Sequence, residues 1–214
     1  PSFKISLFCT LSLYFSDQPT LREIQKNLCE ITPIINVEKG QFRGTIFKKR
    51  EKEESSLLSL KAGVAVNAVP QKAVMEFSTL SEEEFKLAKD AVEKECGVRL
   101  ERSGNTVTVI GVSAHASTPH LGKNAGLAAL NFAVKLPSLS AEDKEAFEAI
   151  LTLFPYGVTD GSGLGIKMND EESGDLTCTL DLFAVDNKEM SFTFDSRVPI
   201  CGNKENCEDV ARKS

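Results

Sequence analysis

The chain has few of the residues that most often carry catalysis or bind metals. Its 214 residues include no tryptophan and only two histidines, His115 and His120. Two histidines exclude, within this chain, a zinc site built from several imidazoles and a repeated histidine relay. Basic residues do not predominate either, because 25 Lys and Arg stand against 31 Asp and Glu and give a net charge of −6. A general binder of nucleic acid or of anionic membranes is therefore not expected.

Cysteine pairs and long apolar runs are also lacking. The six cysteines form no Cys-x-x-Cys pair, which predicts free thiols in a reducing compartment. Cys201 and Cys207 bracket a polar loop, but no second ligand pair follows them, so a metal site is not expected there. The apolar run 5–15 is shorter than the ~20 residues that span a bilayer. It also lacks the cleavage site of a signal peptide, which favours a buried strand and a cytoplasmic protein.

The hydrophobic pattern changes between period two and helical spacing along the chain. It predicts strands around 41–46, 57–60, 73–77, 106–112, 176–184 and 190–197, and helices around 20–28, 81–97, 123–136 and 140–154. The charged run 48–54 is typical of a solvated loop. Short loops and one-sided alternation indicate an α+β fold with an antiparallel sheet and helices packed on one face. The similar hairpins before Phe77 and Arg197 suggest two related halves.

The stretch with the most chemical content is Gly111–Ala125, which reads GVSAHASTPHLGKNA. Its first histidine, His115, follows a predicted strand and lies among small residues. Small neighbours let the imidazole project from the rim of the fold, and nothing apolar is placed to bury it. Without further context, a loop histidine with an ordinary hydrogen bond is the more frequent interpretation of such a pattern.

This stretch resembles the Gly-x-x-x-His-x-x-x-Pro-x-x-Gly-x-Asn-Ala motif of the co-catalytic zinc exopeptidases. That family includes carboxypeptidase G, aminoacylase, carnosinase and the PepV-type dipeptidases. Three further segments are similar to the dipeptidase branch and occur in the order that it uses. They read TPIINVEKG at 32–40, GVAVNAVP at 63–70 and DSRVP at 195–199.

The resemblance implies a lid, or dimerisation-like, domain that is inserted into a separate catalytic domain. Residues 33–200 would form the lid, 1–32 an unassigned segment or a remnant of the catalytic domain, and 201–214 the start of the returning catalytic domain. The implied catalytic residue is His115, which would polarise the scissile carbonyl and stabilise the oxyanion. The implied substrate-binding residues are Asn67 and Arg197, with Arg197 holding the C-terminal carboxylate. We expect all three at the exposed rim.

The chain departs from the family where the metal should bind. The family needs a His-x-Asp pair, a bridging Asp, a Glu-Glu pair and a later His, and both histidines of this chain lie in the lid motif. The string Asp170-Glu171-Glu172 imitates the Glu-Glu pair, but it follows the lid histidine instead of preceding the lid. We therefore predict a solvated turn there and no catalytic role for His120. The two zinc ions would belong to a catalytic domain that the chain lacks.

The leading hypothesis is thus the substrate-binding lid domain of a zinc metallodipeptidase that hydrolyses dipeptides or small peptides. Its expected partners are the peptide substrate and the catalytic domain of the same polypeptide, and the chain alone should be inactive. The alternative is a standalone binding or dimerisation module without catalytic activity. A metal-free hydrolase is least favoured, because no Ser or Cys has a base at a recognisable spacing.

Overall fold

The computed structural model describes residues 38–50 and 55–214. The strand and helix predicted before residue 30, most of the segment 32–40 and part of the charged run 48–54 lie outside the described residues. Everything that follows concerns the described ranges.

A seven-stranded sheet forms the centre of the fold. Its strands are β1 (Gly40–Lys49), β2 (Leu57–Ala62), β3 (Lys72–Phe77), β4 (Arg99–Ser103), β5 (Thr106–Ile110), β8 (Thr177–Val185) and β9 (Glu189–Val198). They lie in the order β1-β9-β8-β2-β3-β5-β4, and each neighbouring pair is antiparallel. A two-residue pair, β6 (Asn169–Asp170) and β7 (Gly174–Asp175), forms a separate small hairpin. The predicted antiparallel α+β fold is confirmed, and the relation between two halves stays a prediction.

The helices cover one face of this sheet. They are α1 (Glu82–Cys96), α2 (Ala125–Ala133), α3 (Ala141–Leu153) and the single turn α4 (Asp209–Ala211); the turns Pro119–Leu121 and Ser162–Leu164 are 3-10 helical, and Lys204–Glu208 is π-helical. The predicted capping box of α1 is present, since Ser81 Oγ accepts from the Glu84 N–H and the Glu84 carboxylate accepts from the Ser81 N–H. Gly97 ends the helix in the left-handed conformation at φ 62°.

Helix α2 is the central helix of the layer. It packs on β2, β3, β5 and β8 and lies between α1 and α3. Eight of its nine residues are buried, as its nearly uniform apolar character predicts. A side chain at Gly126 would place its Cβ 2.3 Å from the Phe183 ring, so the close approach of helix and sheet requires glycine there. The helix begins two residues later than predicted because Asn124 caps it.

The sequence pattern did not predict β4, the last strand of the sheet. Its side chains alternate between buried Leu100 and the exposed Arg99 and Glu101, so only one side of a short strand is apolar. Charges on an edge strand discourage pairing with another chain, which explains why the composition of β4 differs from that of the central strands.

The segment that follows β9 packs against the same core. Cys207 and Ala211 are buried within the hydrophobic cluster, and Ser214 Oγ donates to the Leu164 carbonyl at 3.0 Å. The domain boundary at residue 200 stays a prediction. Among the described residues, no helix is both long and apolar enough to cross a membrane.

Candidate functional site

A short backbone pairing brings Asn67 and His115 together. Ala68 and His115 form an isolated antiparallel bridge between the loop after β2 and the loop after β5. The Ala116 N–H donates to the Asn67 carbonyl and the Val69 N–H to the Ala114 carbonyl, each at 2.9 Å. We call these two paired segments, 67–69 and 114–116, the ribbon. Asn67 and His115 are both exposed on it, as predicted.

Other residues of the His115 motif hold the ribbon in place. An added Cβ at Gly111 would lie 2.0 Å from the Lys123 carbonyl oxygen, so the loop can close only with glycine at that position. The Asn124 side chain accepts from the Leu127 N–H at 3.0 Å and donates to the Leu180 carbonyl at 2.8 Å. Asn124 therefore caps α2 and also ties it to β8. Gly111 and Asn124 therefore have structural roles, and His115 is the residue of the motif whose side chain is available to interact with a ligand.

The contacts of His115 define which ring nitrogen is available. Its Nδ1 accepts from the Ser117 N–H at 3.2 Å and lies 2.8 Å from the Ser117 hydroxyl. Because Nδ1 accepts, the neutral ring carries its proton on Nε2. Within residues 38–50 and 55–214, Nε2 has no hydrogen-bond partner. The exposed edge of the imidazole can thus donate a hydrogen bond to a ligand.

Arg197 is connected to the ribbon through the neighbouring strand β8. It is the Cα partner of Thr177, whose hydroxyl donates to the Ala116 carbonyl at 2.7 Å. Arg197 is therefore linked to the His115 loop through its main-chain pairing with Thr177 and the hydrogen bond of the Thr177 hydroxyl. The side chain of Arg197 is 21% exposed, so it is more buried than the predicted rim position, and its Nε donates to Asp195 at 2.8 Å.

Asp195 organises the surroundings of Arg197, and sequence analysis missed it. Its carboxylate is fully buried and accepts from Gln41, Arg43 and Arg197. In the sequence it is one polar residue of an alternating strand. The available signal was its spacing of two from Arg197, which places both side chains on the same face of β9.

A second buried carboxyl, Asp181, lies close to Asp195. It is the extra residue of a β-bulge in β8, where the register with β9 shifts between Leu180 and Leu182. It is fully buried, and neither carboxyl oxygen has a hydrogen-bond partner among the described residues. Burial, followed by the negative charge of Asp195, raises the pKa of Asp181 to about 9. Asp181 is therefore protonated at neutral pH.

The acidic string 170–172 forms the turn that we predicted. The Asp170 carboxylate accepts from the N–H groups of Glu172, Ser173 and Cys201. The N–H and the hydroxyl of Ser173, followed by Cys201, lower the pKa of Asp170 to about 2. Its carboxylate stabilises the β6–β7 hairpin and the start of the C-terminal segment by accepting these hydrogen bonds, which accounts for an acidic residue at this turn.

The remaining candidates of the sequence analysis do not gather into a metal site. His120 is exposed at the mouth of a crevice of about 100 Å³ that Tyr156 and Cys178 also line. Cys207 is buried, whereas Cys201 is exposed. Within the described ranges, no three His, Cys, Asp or Glu residues lie close enough to hold a metal ion. The described residues therefore do not fit the zinc ions that the resemblance implies.

Comparison with known protein families finds a match that includes the His115 motif. Residues 101–183, which include His115, match the model of the M20 peptidase dimerisation domain. The resemblance to this domain is confirmed. Asn67 precedes the residues that match the family model, and Arg197 follows them.

Relatives of the chain carry names of one kind. "Putative dipeptidase YtjP" of Bacillus subtilis (strain 168) is 28% identical over 153 residues, which are 68% of this chain and 33% of that protein. Two proteins with the same description from Staphylococcus aureus (strains bovine RF122 / ET3-1 and USA300) are 25% identical over 179 residues, which are 78% of this chain and 38% of each. The chain thus spans about a third of the length of these relatives.

Proposed function

We propose that the chain is the substrate-binding lid domain of a zinc dipeptidase that hydrolyses dipeptides or similar small peptides. The observation that carries this proposal is the connection between Asn67, His115 and Arg197. These residues span 130 positions of the sequence, and main-chain pairings together with the Thr177 hydroxyl link the segments that carry them. The names of the relatives support a peptidase, and the family model supports the dimerisation domain as the part concerned.

His115 is proposed to stabilise charge that develops during the reaction. Its Nε2–H is exposed and oriented by the hydrogen bonds that Ser117 makes to Nδ1. A donor placed in this way interacts weakly with a neutral carbonyl and more strongly with an oxyanion, so it lowers the barrier. The exposed amide of Asn67, one residue from the bridge to His115, is proposed to hold the substrate beside it.

Arg197 is proposed to bind the C-terminal carboxylate of the substrate. Asp195 engages its Nε, which leaves the two terminal nitrogens of the guanidinium for a ligand. A guanidinium fork matches a carboxylate in shape and charge. Adjacent strands are about 4.8 Å apart, so Arg197 lies one strand spacing from Thr177, and the Thr177 hydroxyl in turn contacts the Ala116 carbonyl of the His115 loop.

The metal chemistry of such an enzyme would be supplied by other residues. Zinc would activate the attacking water, and the described residues do not form a site for it. We propose that the ions are held by a catalytic domain of the same polypeptide, which would be the principal partner of this chain. We also propose a cytoplasmic location, in keeping with scattered cysteines that form no Cys-x-x-Cys pair in the sequence.

The isolated 214-residue chain is expected to bind zinc more weakly than micromolar and to hydrolyse no peptide. The reason is that its acidic string is committed to a turn and its two histidines lie in exposed loops. Isothermal titration with zinc measures the affinity directly. A stoichiometric site tighter than about micromolar, ~8 kcal/mol, would contradict the assignment as a metal-free lid and return attention to residues 170–172.

The substrate-binding role of Arg197 is tested by Arg197→Ala in the full-length protein that contains this chain. We expect the Michaelis constant for a dipeptide to rise about tenfold or more with a smaller change in turnover, because the carboxylate contact is made in the ground state. The preference for a free carboxylate over a C-terminal amide should fall as well. Arg99→Ala, at an exposed edge position, is the matched control.

Equal losses of activity on the free acid and on the amide would show that Arg197 does not bind the substrate carboxylate.

The reading frame around the chain offers an independent test of the proposed function. A His-x-Asp pair upstream and a histidine downstream would support the dipeptidase, whereas their absence would favour the alternative, a standalone binding or dimerisation module.

A further inference from the structure

Two arginines share one buried carboxylate on the face of the sheet opposite the helices. The Arg43 Nε lies 2.5 Å from Asp195 Oδ1, and the Arg197 Nε lies 2.8 Å from Asp195 Oδ2. Arg43 and Asp195 are Cα partners in the β1–β9 pairing, and Arg197 follows Asp195 by two residues. Both guanidinium groups therefore start from the same face and meet at the same side chain.

Each arginine contacts Asp195 through its Nε. Among the described residues, the terminal nitrogens of Arg43 and Arg197 have no hydrogen-bond partner. Asp195 is fully buried, whereas the side chains of Arg43 and Arg197 are 40% and 21% exposed, so both arginines are partly accessible to a ligand. Gln41 adds a third donor to Asp195 at 3.0 Å and fixes the carboxylate further.

The cluster of Arg43, Arg197 and Asp195 carries a net positive charge that an anion can neutralise. Arg43 and Arg197 supply two positive charges and Asp195 supplies one negative charge, so one positive charge is left over. Asp181 does not cancel it, because that carboxyl is protonated at neutral pH. A single carboxylate neutralises the cluster, while a phosphate dianion would exceed its charge.

We propose that Arg43 and Arg197 together form a two-guanidinium site for one carboxylate group, with Asp195 as the positioning residue for both. This inference rests on the proposed function in that the ligand is a peptide carboxylate, and it adds Arg43 as a second binding residue. With two forks in place, the site recognises the carboxylate through up to four N–H donors from two directions. Such a site rejects a C-terminal amide, which carries no charge and presents N–H groups of its own.

The experiment is a titration of the 214-residue chain with glycylglycine, followed by NMR of the arginine side-chain Nε–Hε signals. We expect the Arg43 and Arg197 signals to shift together along one binding curve, while glycylglycinamide at the same concentrations leaves them in place. The exposed Arg99 signal is the internal control. This measurement uses the unaltered chain, so it does not depend on any variant folding.

Variants then separate this inference from the proposed function. Arg43→Gln is expected to weaken glycylglycine binding at least fivefold, and Arg43→Lys, which keeps the charge but not the fork, about threefold. A stationary Arg43 signal with a shifting Arg197 signal would overturn the two-guanidinium site and leave the role of Arg197 intact. If both signals follow glycylglycine while the full-length protein hydrolyses no dipeptide, the carboxylate site stands and the proposed function fails. Inorganic phosphate that competes better than acetate would overturn the assignment to a carboxylate.

Discussion

Under the proposed function, His115→Ala is expected to reduce the turnover of dipeptides by the full-length protein that contains this chain by roughly 100-fold or more, about 3 kcal/mol, the usual size of one lost oxyanion donor. The Nε2–H of His115 is free to donate, and its orientation is set by Ser117 through Nδ1. Its interaction should grow as the carbonyl becomes tetrahedral, so its loss acts on the transition state and not on the bound substrate. The Michaelis constant should change little.

Steady-state kinetics on one dipeptide measure this effect, and His120→Ala is the matched control. His120 lies five residues further along the same motif and is also exposed, but it is on the crevice side of the Pro119–Leu121 turn. Its replacement should leave turnover within about twofold, a difference of less than 0.5 kcal/mol. A His115→Ala protein with a raised Michaelis constant and intact turnover would make His115 a binding contact instead.

Asp181→Asn is expected to raise the free energy of unfolding of the chain at pH 7 by up to about 4 kcal/mol. The folded chain keeps Asp181 protonated up to about pH 9, whereas in the unfolded chain it ionises near its ordinary value of 3.8. The free energy of unfolding is therefore not reduced by this carboxyl below pH 3.8. As the pH rises from 3.8 toward 9, the free energy of unfolding falls by about 1.4 kcal/mol per pH unit. An amide of the same shape is neutral at every pH and avoids this loss.

Urea unfolding at pH 5, 7 and 8.5 tests the prediction for Asp181. The advantage of Asp181→Asn should grow from about 1.6 kcal/mol at pH 5 to about 4 kcal/mol at pH 7 and further at pH 8.5. Asp186→Asn is the control, because backbone N–H groups of Lys188 and Glu189 lower the pKa of that exposed carboxyl. A difference for Asp181→Asn that stays constant across the three pH values would mean that the carboxyl ionises in the folded chain.

Much of the fold followed from local patterns. The capping box and Gly97 delimited α1, and the alternation marked β9 with its buried face and β8 with its buried face as far as Leu180. Strand β4 was missed because its only buried residue with a large apolar side chain is Leu100. The bulge at Asp181 was missed because one extra residue in a strand leaves no compositional trace, although it reverses which face the later residues occupy.

The candidate site was predicted in its side chains but not in its arrangement. Asn67 and His115 stood out because short segments around them resemble a known motif. Their proximity depends on a single bridge between two loops 47 residues apart, which no hydrophobic period encodes. Asp195 escaped notice for a related reason, since a buried carboxylate is recognisable only when the three donors that surround it are known.

The frame that carries these side chains is made of main-chain hydrogen bonds. The contacts from Asn67 to Ala116 and from Ala116 to Thr177 use carbonyls and N–H groups, and only the Thr177 hydroxyl is a side chain. Replacing Asn67 or His115 is therefore expected to leave these contacts in place, because neither side chain takes part in them. In evolutionary terms, the site can exchange its chemistry at these two positions without refolding the domain, whereas Thr177 and Gly111 are positions where change alters the scaffold itself.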